Sequence, residues 1–168
     1  MYLGMVDLES TLVGSMLVVT TANTPINSDA LPTYRVYGPN GIVVDGSASF
    51  RDTDTVTGAT NASPISILSN AHGLTTGARV TITGVTGNTA ANGTFLITRV
   101  DANNYTLDGS SGDGEYSAGG VWNVTGLYGV SLAATGVNGY EKGENYQILF
   151  DYAISTVQTG QLLSFQVS

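Results

Sequence analysis

Cysteine is absent from the 168 residues, which excludes disulfides, thiolate nucleophiles and Cys-type zinc sites together. Positive charge is scarce: Arg35, Arg51, Arg79, Arg99 and Lys142 stand against 13 Asp and Glu, for a formal net charge of -8. Such a surface repels phosphate backbones, so no nucleic-acid partner is expected. The single histidine, His72, leaves no second imidazole for a zinc set. No apolar run approaches the roughly 20 residues of a membrane-spanning helix, and Met1-Tyr2-Leu3-Gly4-Met5-Val6-Asp7 lacks a basic leader segment. A soluble protein made inside a cell, with no membrane partner, is expected.

What is present is the vocabulary of short strands and tight turns. Hydrophobic residues make up 42% of the chain, more than a disordered chain carries, and 22 glycines accompany abundant Thr, Ser, Asn and Val. Only 11% of residues are charged, so uncharged polar groups and backbone must cover most of the surface. The composition predicts an all-β fold.

Residues 12–20 are β-branched and apolar and predict a first strand, closed by Thr24-Pro25-Ile26-Asn27-Ser28-Asp29. Tyr34-Arg35-Val36-Tyr37 and Ile42-Val43-Val44 flank Gly38-Pro39-Asn40-Gly41, a hairpin signal, and a strand is expected over 46–51. Between Pro64 and Trp122 four short β runs recur at intervals of about a dozen residues, each closed by Gly or Asn, as in a small barrel. After Trp122 come runs at 126–132, 146–154 and 162–167; the middle one alternates, with Tyr146, Ile148, Phe150, Tyr152 and Ile154 on one face. About three strands on each side of the insert make roughly the seven of a sandwich only when joined. The expected architecture is a discontinuous β-sandwich, 1–62 and 123–168, with an inserted small β-barrel domain at 63–122.

Two resemblances follow from quoted motifs. Ile67-Leu68-Ser69-Asn70-Ala71-His72-Gly73-Leu74-Thr75-Thr76-Gly77, Val80-Thr81-Ile82-Thr83-Gly84-Val85 with Asn92-Gly93-Thr94, and Tyr105-Thr106-Leu107-Asp108-Gly109-Ser110 resemble the small β-barrel first described as the first catalytic-cysteine half-domain of ubiquitin-activating enzymes. That module also occurs in phage virion proteins; with no Cys and no nucleotide-binding signature here, ubiquitin chemistry does not carry over. The flanks, Tyr34-Arg35-Val36-Tyr37-Gly38 with Gly126-Leu127-Tyr128 and Gly143-Glu144-Asn145-Tyr146-Gln147-Ile148-Leu149-Phe150-Asp151-Tyr152, are similar to Ig-like sandwich proteins in tailed-bacteriophage structural gene clusters. The resemblance implies a virion location and a structural role. The leading expectation is a capsid decoration (cement) protein, a homo-oligomer such as a trimer, bridging the major capsid protein or other virion proteins. The alternative is a tail or baseplate component whose inserted barrel binds a host surface glycan.

Residues with chemical potential weigh less. His72 in Ala71-His72-Gly73-Leu74 reads as a structural turn residue, and no Gly-x-Ser-x-Gly elbow offers a nucleophile for it. Asp108, Asp113 and Glu115 lie on a glycine-rich loop and could offer oxygens to calcium, but their spacing departs from the EF-hand pattern, so a solvated loop is the main expectation. The pairs Glu141 with Glu144 and Asp52 with Asp54 read as solvated turn charges rather than glycosidase carboxylates. No enzyme activity and no cofactor are expected. Among nine tyrosines, Tyr146 and Tyr152 are expected in the core with Phe150 and Phe165, while Tyr2, Tyr105, Tyr116 and Tyr140 are candidates for surface contacts. Tyr2, Leu3 and Met5 form a candidate N-terminal arm for adding to a neighbour's sheet edge.

Overall fold

A computed structural model describes all residues, Met1–Ser168. Fifteen strands follow one another: β1 (Tyr2–Val6), β2 (Ser10–Leu17), β3 (Thr33–Gly38), β4 (Gly41–Ser47), β5 (Ser49–Phe50), β6 (Thr53–Thr55), β7 (Gly58–Ala59), β8 (Ile65–Leu68), β9 (Arg79–Thr83), β10 (Gly93–Arg99), β11 (Asn104–Leu107), β12 (Val121–Val124), β13 (Leu127–Ala134), β14 (Asn145–Ile154) and β15 (Val157–Val167). The protein is all-β, a β-sandwich accompanied by a barrel-like domain. The chain divides into two compact units, Met1–Phe50 with Gly126–Ser168, and Arg51–Thr125.

In the first unit a five-stranded sheet, ordered β1-β15-β14-β3-β4, faces a three-stranded sheet, β2-β13-β5. Side-chain alternation decides which residues meet between them. Leu12 and Met16 of β2 and Val130 and Leu132 of β13 share one buried cluster with Val36 of β3, Ile148 and Phe150 of β14, and Leu163, Phe165 and Val167 of β15. Tyr146 anchors an aromatic group there, 4.9 Å from Tyr140 and 5.5 Å from Phe165 between ring centroids. The hairpin expected at Gly38-Pro39-Asn40-Gly41 joins β3 to β4, with Gly38 opposite Gly41. At Gly126, where the chain re-enters this unit, φ is +75° and an added Cβ would lie 2.6 Å from the Val18 carbonyl oxygen. Only glycine fits there.

In the second unit one seven-stranded sheet runs β6-β12-β9-β10-β11-β8-β7. Its two edge strands are successive parts of one stretch of chain. Thr53–Thr55 pairs with β12 and Gly58–Ala59 with β8, and between them Val56 N–H donates to Gly120 O and Thr57 N–H to Leu68 O. The sheet therefore curls round on itself, and Ile65, Ile67, Val80, Ile82, Ile97, Tyr105, Leu107 and Trp122 fill its interior. The Trp122 indole N–H donates to the buried Ser69 hydroxyl at 2.8 Å, so the one polar atom of that ring is satisfied.

Two sequence expectations shift. The boundaries fall at Phe50/Arg51 and Thr125/Gly126 rather than at 62/63 and 122/123, because β6 and β7 hydrogen-bond inside the barrel-like unit. The N-terminal segment is not a detached arm: β1 pairs in parallel with β15, Tyr2 opposite Ser164 and Met5 opposite Gln166.

Candidate functional site

The outer face of the five-stranded sheet is the most distinctive surface of the first unit. Strand alternation sends Tyr146, Ile148, Phe150, Leu163, Phe165 and Val167 inward, which turns Gln147, Leu149, Asp151, Leu162, Ser164 and Gln166 outward. Directly opposed residues of neighbouring strands share a face, so Tyr2 and Met5 join Ser164 and Gln166 there. The shift of register between Tyr2 and Met5, at Gly4 with φ +102°, is the bulge that lets both point the same way. Tyr2 is 60% exposed, Met5 67% and Leu162 46%. Leu3 instead packs against the core. The one salt bridge on this face, Arg35 to Asp151 at 3.1 Å, neutralises its own charges. The Tyr37 hydroxyl beside Arg35 holds that guanidinium above its usual pKa, with Asp151 adding to the effect. Asp45, opposite Arg35 on β4, adds one more negative charge, so the face carries few charges on a chain of net charge -8.

The second unit brings together several residues that the sequence left apart. Arg51, Asp52, Thr53, Asp54, His72 and Trp122 line one cleft of about 320 Å³. Within it the Leu74 N–H donates to His72 Nδ1 at 3.0 Å, and His72 Nε2 faces the Asp101 carbonyl oxygen at 3.2 Å. These contacts assign the proton to Nε2 and commit both ring nitrogens to backbone groups. The ring is buried, edge-on to Tyr105 at 5.1 Å. Asp54 is spent locally, accepting the Thr55 N–H at 2.7 Å. The cleft holds no imidazole nitrogen free to take a proton from a nucleophile.

The acidic loop likewise serves the fold. Asp113 accepts from the Thr89 hydroxyl and, at 3.0 Å, from the Ala90 N–H, and these two donors hold its carboxyl below the usual range. Asp108 accepts from the Thr98 hydroxyl at 3.0 Å. Glu115 is exposed. Asp108, Asp113 and Glu115 are not brought together, and no group of three or more His, Asp or Glu is arranged to hold a metal ion. Glu141 and Glu144 sit in the turn before β14, where Glu144 N–H donates to the Glu141 carbonyl oxygen at 3.3 Å.

Two of the tyrosines expected at the surface are interior. Tyr105 and Tyr140 are buried, and neither hydroxyl has a hydrogen-bond partner. Burial raises both pKa values, that of Tyr140 to about 12. Tyr116 is half-buried, its hydroxyl donating to Val56 O and Gly119 O. No protein-family model matches this sequence, and no curated protein matches it.

Proposed function

We propose that this chain is a structural protein of a tailed-bacteriophage particle, a capsid decoration protein that bridges adjacent capsid subunits. The observation that carries the reading is the exposed, charge-poor outer sheet face, where Tyr2, Met5 and Leu162 offer apolar contact area and the only ion pair is internally neutral. Exposed apolar patches of this kind mark interaction surfaces. Many copies, each contributing a modest contact, would strengthen a shell through repetition. A homo-oligomer follows from the same symmetry.

The Ig-like part of the reading has support in topology. The first unit's strands fall in the order of an Ig sandwich, with the insert between the strands corresponding to D and E. Tyr146, at the start of β14, accepts the Glu141 backbone N–H at 2.7 Å, the pattern of a tyrosine corner. Two residues on, where antibody domains carry a cysteine, stands Ile148; a Cβ added to Gly14 of the facing sheet would lie 3.2 Å from its Cδ1. Packing replaces the disulfide. The glycan-binding alternative would use exposed aromatics on the barrel-like unit, whereas Tyr105 and Trp122 are buried.

Particles lacking the protein should lose resistance to heat, and purified protein added back should restore it. A Tyr2→Glu/Leu162→Glu variant should fold, judged by its near-UV spectrum, yet fail to bind or restore the shells. Unchanged heat resistance without the protein, or labelling confined to the tail, would refute cementing.

A further inference from the structure

β13 has a bare edge. On its β2 side Val18 N–H donates to Gly126 O at 2.9 Å and Glu9 N–H to Ala134 O at 2.8 Å, with an uninterrupted register between. Alternation of the antiparallel ladder then directs the N–H and C=O groups of Ser131 and Ala133 the other way. On that side β5 supplies only Ser49 and Phe50, opposite Gly129 and Tyr128. Upstream of β5 the chain belongs to the opposite sheet, Ser47 pairing with Thr33. Ala133 O finds local donors, Thr135 N–H and Asn138 Nδ2, both at 3.0 Å. The N–H and C=O of Ser131 and the N–H of Ala133 face no strand.

Where β4 and β13 part, a cleft of about 410 Å³ opens, with Val43, Val44, Ser131, Leu132 and Ala133 among its lining and no charged residue. Tyr140 also lines it; this side chain is 2% exposed and its hydroxyl has no partner. A buried donor left unmade costs free energy that a bound acceptor would recover.

We propose that this cleft is a strand-acceptor site, completed by an extended, uncharged segment of another protein with apolar residues at alternate positions. Its backbone adds to β13 beyond β5, pairing with Ser131 and Ala133; its alternate side chains fill the cleft, and one of its oxygens accepts the Tyr140 hydroxyl. This is β-augmentation, in which backbone bonds give affinity and pockets for alternate side chains give specificity. The chemistry of the site selects the occupant. An uncharged lining cannot compensate a buried charge, and the net charge of -8 disfavours acidic segments further. A second copy offers only strands already held in its sheets, whose inward side chains are committed to its own core, so it could lend a backbone edge but no side chains to fill the cleft. The inference is independent of the virion role.

The test uses the full chain and an acetylated, amidated peptide, Thr-Val-Thr-Val-Thr-Val-Gly, followed by calorimetry and amide hydrogen exchange. Binding should protect the Ser131 and Ala133 amides, and a peptide with Glu in place of the central Val should not bind. Ser131→Pro removes an edge N–H that the β2 ladder does not use. It should weaken binding about tenfold, the loss of one well-made hydrogen bond. Tyr140→Phe removes a hydroxyl with no internal partner, so it should keep the melting temperature and weaken binding severalfold, which keeps the test decisive if the proline variant does not fold. No binding at millimolar peptide, or binding unchanged in Tyr140→Phe and without amide protection, overturns the proposal. A cleft that binds a small apolar dye but no peptide makes it a small-molecule site instead. Self-association lost on Ser131→Pro makes the occupant a second copy. Either outcome also overturns it.

Discussion

The sorting of tyrosines rests on which face of which strand each occupies, and the buried ones have a consequence at high pH. Tyr105 and Tyr140 hold their protons above the ordinary 10 because burial penalises the phenolate, and Tyr128 does so although Ser28 N–H donates to its oxygen. The folded protein therefore binds these protons more tightly than the unfolded chain. Their stabilising contribution is complete below pH 10 and is lost as pH rises through the folded values, about 12 for Tyr140. Tyrosinate absorbance should show Tyr105, Tyr128 and Tyr140 ionising only above pH 10 and together with loss of near-UV dichroism. A single smooth titration with the fold intact would contradict this burial. Alternation alone placed Tyr146 and Phe150 inside correctly. It gave no purchase on Tyr105, or on Tyr140 in its glycine-rich turn, because the side of a short strand or loop that meets the core depends on partners distant in sequence.

Among the elements, the β14–β15 hairpin shows how much a turn can be carried by a remote side chain. Ile154 pairs with Val157 across Ser155 and Thr156, which have φ of +50° and +68°, the left-handed pair of a type I′ turn. Neither residue favours that region, and for a β-branched Thr it is a true outlier. Asp29 compensates, accepting the Ser155 N–H at 3.1 Å and the Thr156 N–H at 2.7 Å. Thr156→Gly should therefore stabilise the protein, by about 1 kcal/mol, read as a higher denaturant midpoint. A lower midpoint would show that the threonine side chain matters more than its backbone strain. Nothing in Ile154-Ser155-Thr156-Val157 signals this turn, since Asn-Gly and Asp-Gly are its usual marks. Gly38-Pro39-Asn40-Gly41, by contrast, was legible at once. β1 was illegible for a different reason, since its apolar residues find their partner at the far end of the chain, in β15.

At the scale of the molecule, the second unit should be separable. Its ends lie side by side, Val124 N–H donating to Asp52 O at 2.9 Å, and its buried cluster is complete within residues 51–125. A fragment Arg51–Thr125 should fold alone and unfold cooperatively, and Trp122, the only tryptophan and buried, should report this as blue-shifted emission that moves to the red on unfolding. Water-exposed emission from the native fragment would refute autonomy. A fragment cut at the boundaries read from sequence, 63–122, should fail, because it lacks β6 and β7 and would leave β12 and β8 with bare edges.

Composition, alternation and turn residues by themselves determined the all-β class, the interruption of a sandwich by a second β unit and most strands longer than four residues, because these follow from local periodicity and backbone preference. Pairing decided the rest. The tertiary structure alone settled that Thr53–Ala59 closes the barrel-like sheet, that the first residues dock on the last strand, that Asp108 and Asp113 of the acidic loop accept hydrogen bonds within the fold, and that β13 keeps a bare edge beside a neutral cleft. Each depends on which distant backbone or side chain lies opposite, and a strand's own residues do not encode its neighbour.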